Sequence, residues 1–405
     1  MPALATLHRE APLGTGARHD HDAPAGVIKF QAPEVVFGAG SLREAGFAAL
    51  RLGARRPFVV TDSGLQGAGW AECLDRFLAD AGLDATVWSG VTPNPKDHEV
   101  AAGYERYLES GCDVLVALGG GSCMDAAKGI AILTCNGGSI LDYAGVDRVT
   151  RTIPPMLMIP TTAGTGADVS QFCIITDTAN SVKVTIMGRA LVPDISLTDP
   201  SLLETMPDDL AAATGLDALT HGIEAYVSRA HNPLTDGHAL SAVGLVFGNL
   251  SQMIDQRGSA HHRSNMAQAS LEAGLAFSNA ILGATHAMSH QVGGLLDLPH
   301  GVVNGVLLPH VIRFNAAVGG ERFVPLAATA GVGRAIPADE VGEVLADEVR
   351  GVADRLGVPK GLAELGVRDS DIPTLARNAL ADACLSTNPR STSEADLADL
   401  FRAAL

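Results

Sequence analysis

Asp113 to Leu118 reads as a strand that is apolar on both faces, and Gly119-Gly120-Gly121-Ser122 follows it at once. A short strand with no polar face belongs inside a parallel sheet covered by helices on both sides. The same sign recurs along the first half of the chain. Val35 to Phe37, Pro57 to Thr61, Ala85 to Val91, Met156 to Ile159 and Ile195 to Thr198 are short apolar runs. Helical patterns over Ser41–Leu50, Trp70–Ala81 and Val100–Ser110 separate the early ones. Strands alternating with helices of that length predict a doubly wound α/β unit. Phe172–Thr176 and Val182–Met187, with a turn between them, predict a β-hairpin carrying Lys183.

After about Pro207 the pattern changes to long helical stretches rich in Ala, Leu and Gly, with no strand signal of comparable quality. At 405 residues the chain is long for one core. The expected division is therefore a mobile extension over 1–25, an α/β dinucleotide-binding domain over 26–206 and an all-α domain over 207–405.

Two loops bear on ligands. The three glycines and Ser122 open a helix beginning near Cys123, where backbone N–H groups and the helix dipole favour an anion. Ser122 with Asp125 reads as a capping box, and Lys128 lies one turn further in. A tight turn with a good cap is the bland alternative. Pro160-Thr161-Thr162-Ala163-Gly164-Thr165-Gly166 is a second strand-end loop, rich in hydroxyls and glycine. Such ends at one edge of a parallel sheet are where a dinucleotide lies. Asp62 ends the second strand. There it can accept from an adenosine ribose and repel a 2′-phosphate, favouring NAD over NADP, or it can simply cap the next helix.

The helical half carries the other chemistry. Asp217 and His221 are four residues apart, as are His286 and His290, so each pair shares a helix face. His300 follows on a Pro-His-Gly turn. One carboxylate and several imidazoles suit Fe(II), Zn(II) or another divalent metal. Lys and Arg number 28 against 45 Asp and Glu, a net charge of −17, which argues against nucleic acid and anionic membranes as partners. Six scattered cysteines without a paired framework suggest a reduced, cytoplasmic setting.

Taken together, Gly119-Gly120-Gly121-Ser122-x-x-Asp125-x-x-Lys128, the Thr161–Gly166 loop, Gly215-x-Asp217-Ala218-x-x-His221, Gly283-x-x-His286-x-x-x-His290 and Pro299-His300-Gly301 resemble the iron-dependent (group III) alcohol dehydrogenases. Asp382-x-Cys384 with Asn388-Pro389-Arg390 also fits that pattern. Ala167-Asp168 departs from it, standing where many members have Ser-Glu. The resemblance implies a dinucleotide-binding domain joined to an all-helical domain, with the site in the cleft between them. It implies Asp217, His221, His286 and His300 as metal ligands, with Fe(II) first and Zn(II) second. It also implies NAD held by Asp62, Asn94, Gly120, Gly121, Ser122, Thr161, Thr162, Thr165 and Lys183. His290 would stand beside the nicotinamide and relay the alcohol proton; a fifth ligand or a wall residue are its alternatives. The implied reaction interconverts a small primary alcohol and its aldehyde, in a homodimer or higher oligomer. A zinc-dependent polyol dehydrogenase and a reductase of a phosphonate- or hydroxy-bearing aldehyde are the alternatives. Gln171, Phe172 and Ile174, with residues near Phe277, are expected to face a small apolar pocket.

Overall fold

The computed structural model describes residues 28–256, 258–332 and 336–405. The expected extension over 1–25 lies outside the described residues. The described chain opens with β1 (Glu34–Phe37), α1 (Ala45–Arg51), β2 (Pro57–Asp62), α2 (Ser63–Gly67), α3 (Trp70–Asp80) and β3 (Thr86–Val91). It continues through α4 (Asp97–Ser110), β4 (Val114–Gly119), α5 (Gly121–Asn136), β5 (Gly145–Val146) and β6 (Met156–Pro160). The predicted hairpin is present as β7 (Phe172–Asp177) and β8 (Val182–Met187), and β9 (Ile195–Thr198) follows.

Six strands form one parallel sheet in the order β1-β9-β6-β4-β2-β3. Every residue of β4 is buried, as its apolar run predicts for a central strand. The chain winds outward from β2 to β3, then crosses back to place β4 on the other side of β2. That reversal is a topological switch point, and the crevice beyond the strand ends there is the natural ligand site of an open α/β sheet. Asp62 closes β2 and Gly120–Ser122 follow β4, so both loops flank this crevice. A small sheet, β5-β8-β7, lies apart from the main one.

From Asp208 on, the described residues hold helices and no strand: α6 (Asp208–Val227), α7 (Pro233–Asp255), α8 (Ala260–Ala280), α9 (Ala284–Leu296), α10 (His300–Gly319), α11 (Val324–Thr329), α12 (Val341–Arg355), α13 (Ile372–Ala381) and α14 (Glu394–Ala403). The start of α7 shows why the chain turns there. Asn232 accepts from the N–H groups of Leu234 and Thr235, and Pro233 takes the first helical position, where no N–H is needed. α6 is buried nearly all round, and its apolar faces join α7, α8 and α10 in the largest core cluster. The run His300–Thr329 is long and apolar enough to cross a membrane, but 61% of its most apolar 18-residue window is buried inside the protein. It is a core element here.

Two local expectations are corrected. The helix expected over Ser41–Leu50 starts only at Ala45, and Ser41 opens a short 3-10 turn with Gly40 at its cap position. Ser122 and Asp125 do not form a capping box either. α5 begins two residues earlier, at Gly121, with Gly120 as its cap and no side-chain bond to the cap.

Candidate active site

One cavity of about 790 Å³ opens where the strand ends meet the helices. The fourteen residues that the resemblance assigns to metal, cofactor and proton relay all line it. At one end are Asp62, Asn94, Gly120, Gly121, Ser122, Thr161, Thr162, Thr165 and Lys183; at the other are Asp217, His221, His286, His290 and His300.

The second end is built mainly from α6, α9 and the first turn of α10. Asp217 Oδ1 lies 3.9 Å from His221 Nε2, 3.7 Å from His286 Nε2 and 3.9 Å from His300 Nε2. These separations are too long for hydrogen bonds. They are a few tenths of an ångström wider than the spacing of about 3.4 Å for ligands roughly 2.1 Å from a common tetrahedral ion. The far nitrogen of each imidazole has its own partner. His221 Nδ1 meets Gly164 O at 3.2 Å, His286 Nδ1 meets Glu224 Oε2 at 2.6 Å, and His300 Nδ1 lies 3.4 Å from Ser289 Oγ. Holding each Nδ1 in this way turns each Nε2 inward, as a metal centre requires. His300 is the first residue of α10, with Pro299 as the cap, rather than part of an isolated turn.

The protonation pattern fits a cation. Asp217 is buried, yet the neighbouring imidazoles, His221 foremost, hold its carboxyl well below the ordinary range. Burial pushes His221 down to about 4 and His300 well below the usual imidazole value. Burial works against His286 too, but the facing Asp217 carboxylate and the hydrogen-bonded Glu224 carboxylate raise it to about 9. Near neutral pH the group therefore carries one buried carboxylate facing the cluster, two neutral imidazoles and a proton on His286. A divalent ion would replace that proton. The donor set of three nitrogens and one carboxylate oxygen fits such an ion.

Sequence reasoning passed over Glu224, which organises this end. Its carboxylate accepts from the backbone N–H groups of Gly283, Thr285 and His286 as well as from the His286 ring. The signal was available, since Glu224 follows His221 by three and Asp217 by seven, on one helix face. Asn304 was also missed. It stands four residues after His300 and donates to Asp217 Oδ1 at 2.8 Å, while its own Oδ1 is buried without a partner. His290 turns its Nδ1 to Asp382 Oδ2 at 2.9 Å. The two are 92 positions apart, which leaves no local pattern to link them.

At the other end, the glycines are required by close approach. A Cβ on Gly121 would come within 2.9 Å of Thr165 Cγ2, and one on Gly120 within 3.1 Å of Thr162 Cγ2. The two strand-end loops thus pack backbone against side chain and leave a narrow trough, a cradle of the kind a pyrophosphate needs. Ser122 Oγ accepts from the Asn94 N–H at 3.2 Å. Lys183 Nζ donates to Asn94 Oδ1 at 2.7 Å, and burial brings the amine down to about 8. Asn94 Nδ2 then reaches across to Asp297 Oδ1 at 2.6 Å, joining the two halves of the chain. Asp62 does cap α2, through Oδ1 and the Leu65 N–H at 3.0 Å, and it also lines the cavity.

Lys128 has no part in anion binding. It is fully buried and donates to the carbonyls of Ala167, Ser170 and Phe172, tying α5 to the β7 approach. Asp168, the residue that departs from the family pattern, accepts from Ser196 Oγ at 2.7 Å behind this tie. Gln171 does not face the pocket: its N–H and its side-chain amide are both taken up by Ser278. Phe172, Ile174, Phe277 and Leu282 do line the cavity, and Phe277 stacks on His221 at 4.3 Å between ring centroids.

Comparison with known proteins bears on this geometry. Residues 32–200 match the model of the iron-containing alcohol dehydrogenases, and residues 211–405 match the C-terminal part of the same Fe-containing family. The chain is 40% identical to the 1,3-propanediol dehydrogenase of Citrobacter freundii over 371 residues, covering 91% of this chain and 96% of that protein. It is 37% identical to the NAD-dependent methanol dehydrogenase of Bacillus methanolicus, covering 93% and 99%. A crystal structure of 1,3-propanediol oxidoreductase superposes with a TM-score of 0.91 at 38% identity, covering 94% of this chain and all of that one. The converging donors, the loop cradle at the switch point and these full-length likenesses have one reading: the chain belongs to the iron-containing alcohol dehydrogenase family.

Proposed function

We propose that the chain interconverts a small primary alcohol and its aldehyde, with Asp217, His221, His286 and His300 holding a divalent metal and the strand-end loops holding NAD(H). The observation that carries this reading is a single cavity with a nucleotide cradle at one end and a four-donor cluster at the other. When bound, the ion supplies Lewis acidity toward an alcohol or carbonyl oxygen, and the nicotinamide gives or takes the hydride.

The chain's own residues do the rest. Glu224, Gly164 O and Ser289 fix the three imidazoles. Gly120 and Gly121 let backbone approach the pyrophosphate, with Ser122, Thr161, Thr162 and Thr165 beside it. Asp62 faces the adenosine ribose through Oδ2, which the cap does not use and which meets only the weak Cys123 Sγ–H donor at 3.5 Å. Lys183 and Asn94 stand near the second ribose. Asp382 holds His290 at Nδ1, so Nε2 is the nitrogen that takes the alcohol proton and passes it outward. Phe172, Ile174, Phe277 and Leu282 give the substrate end an apolar wall, which excludes water and suits a short carbon chain. Relatives named for propanediol and methanol support that size class. Fe(II) is the first choice of ion, and Zn(II) suits the same donors.

The division near residue 206 belongs to this reading, with a cofactor half before it and a metal half after it. So does a homodimer or higher oligomer in a reducing cytoplasm, supported by six free cysteines, and away from polyanions, supported by the charge of −17.

Metal analysis joined to an aldehyde panel with NADH tests the proposal. His300→Ala is expected to lose metal and turnover while NADH still binds. His290→Ala is expected to keep the metal and lose turnover roughly 10²–10⁴-fold near neutral pH. Full metal content and near-normal rates in the His300 variant would overturn the ligand assignment.

A further inference from the structure

Beside the four-donor cluster stands a second group of a different chemical character. One ligand atom from each of His290, Asp382 and Cys384 lies within 4.8 Å of the others. The His290 and Asp382 side chains are each 6% exposed, and Cys384 is 1% exposed. His290 and Cys384 line the cavity, so a small ion has a way in. The atoms are already positioned by the fold. Cys384 N–H donates to Asp382 Oδ1 at 2.9 Å, and Asp382 Oδ2 lies 2.9 Å from His290 Nδ1 and 3.3 Å from Gln291 Nε2. That 2.9 Å is about half an ångström shorter than the spacing of about 3.4 Å around a tetrahedral ion, so the two groups would part slightly to admit one.

We propose that His290, Asp382 and Cys384 form a second, thiophilic metal site, selective for Zn(II), Cd(II) or Co(II) over Mg(II) and Ca(II), whose occupation stops turnover. Sulfur, imidazole and carboxylate together are the donors of zinc sites with one position left for water. The first cluster contains no sulfur, so the two sites differ in kind. Binding releases the Cys384 thiol proton to solvent and leaves a thiolate–metal bond, while His290 ligates through Nδ1 and carries its one ring proton on Nε2 instead. Burial holds that thiol protonated when no ion is present, so the site fills more readily as pH rises. The site itself rests on these three side chains. Its effect on turnover rests on the proton role proposed for His290, whose ring stacks 5.2 Å from His300.

Cobalt distinguishes the two sites. Co(II) is added stepwise to metal-free protein while the visible and near-ultraviolet spectrum is recorded. The first equivalent is expected to give only the visible bands of a nitrogen–oxygen site. Further Co(II) is expected to add an intense thiolate-to-cobalt band in the near ultraviolet. Cys384→Ser and Cys384→Ala are each expected to lose that band and keep the visible ones. In iron-loaded enzyme, excess Zn(II) is expected to lower turnover roughly 10²-fold with the iron still bound, and to do so in wild type but not in the Cys384 variants relative to their own zinc-free rates. Absence of the band in wild type, or its persistence in both variants, overturns the site. A band present with turnover unchanged upholds the site and overturns the role given to His290, while leaving the four-donor cluster untouched.

Discussion

Glu224→Gln isolates a carboxylate that touches no substrate and yet is needed for the metal centre. The change keeps shape and removes charge and one acceptor. Glu224 Oε1 accepts from Thr285 N–H at 2.6 Å, while Oε2 accepts from Gly283 N–H at 3.1 Å and from the His286 ring at 2.6 Å. An amide can place its oxygen on one side only. Its NH2 must then face a buried N–H, and that lost charge-assisted bond is worth roughly 1.5–3 kcal/mol. The His286 ring also loses the partner that fixes its orientation, and removal of such a support typically costs roughly 10–100-fold in metal affinity.

The pH dependence follows from two opposite shifts. Burial opposes ionisation of Glu224, but the His286 contact lowers its pKa. A lowered carboxylate contributes stability that is present above its unfolded pKa and lost as pH falls. His286 is raised to about 9, so its share is complete below the unfolded imidazole pKa and lost as pH rises through about 9. In metal-free protein, wild type should therefore exceed Glu224→Gln in stability most at about pH 6, and the gap should narrow in acid and above about pH 9. Urea unfolding of both metal-free proteins across this range reads the first effect, and chelator competition reads the second. A variant that binds metal as tightly as wild type and unfolds at the same urea concentration at every pH would refute the reasoning.

Two further outcomes are expected. Because a bound ion must displace the proton that His286 holds up to about 9, metal affinity should rise about tenfold per pH unit through the neutral range and level off above about pH 9. Chelator competition at several pH values, with proton release measured alongside, checks the slope; a flat profile would mean that His286 is already neutral in the metal-free protein. Asp62→Gly should raise activity with NADPH relative to NADH, at a cost of only a few tenths of a kcal/mol, because glycine is itself a tolerable cap. Wild-type preference for NADPH would contradict the ribose role, and a large loss of stability would show that the cap to Leu65 is its main purpose.

Much of this architecture was legible because local pattern and global position coincide. The apolar runs of β2, β4 and β6 have no polar face, and the sheet buries them accordingly. The i,i+4 pairs place Asp217 with His221 and His286 with His290 by helix geometry alone. The role of Lys128 was open in the sequence, because a lysine one turn into a helix after a glycine loop looks the same whether it meets a phosphate or three carbonyls. Only the path of residues 167–172, distant in sequence, decides between them. Gln171 failed for a similar reason: it precedes β7, where alternation does not fix its direction, and Ser278, 107 residues away, captures it. Asp382 shows the general limit. Side chains that support an active site from another helix leave no periodicity to read.

The loop from Thr161 to Gly166 is where the two halves of the site become one. Its threonines 161, 162 and 165 line the cofactor end of the cavity. Its Gly164 carbonyl meets His221 Nδ1 at 3.2 Å and so sets the ring that faces Asp217. The same Gly164 lies against the backbone of Thr214 on α6, and Gly166, with φ of +55°, lies against Gly274 on α8, with no room for a Cβ at either contact. A side chain at either glycine would push the sheet edge away from the helices that bear the metal donors. The spacing of glycines in this loop is thus a distance constraint between cofactor and metal, since hydride transfer depends on placing the reacting atoms within about 3–3.5 Å. That constraint also accounts for hydroxyls and glycines together in so short a segment: the threonines line the cavity, and the glycines let the helices come close to it.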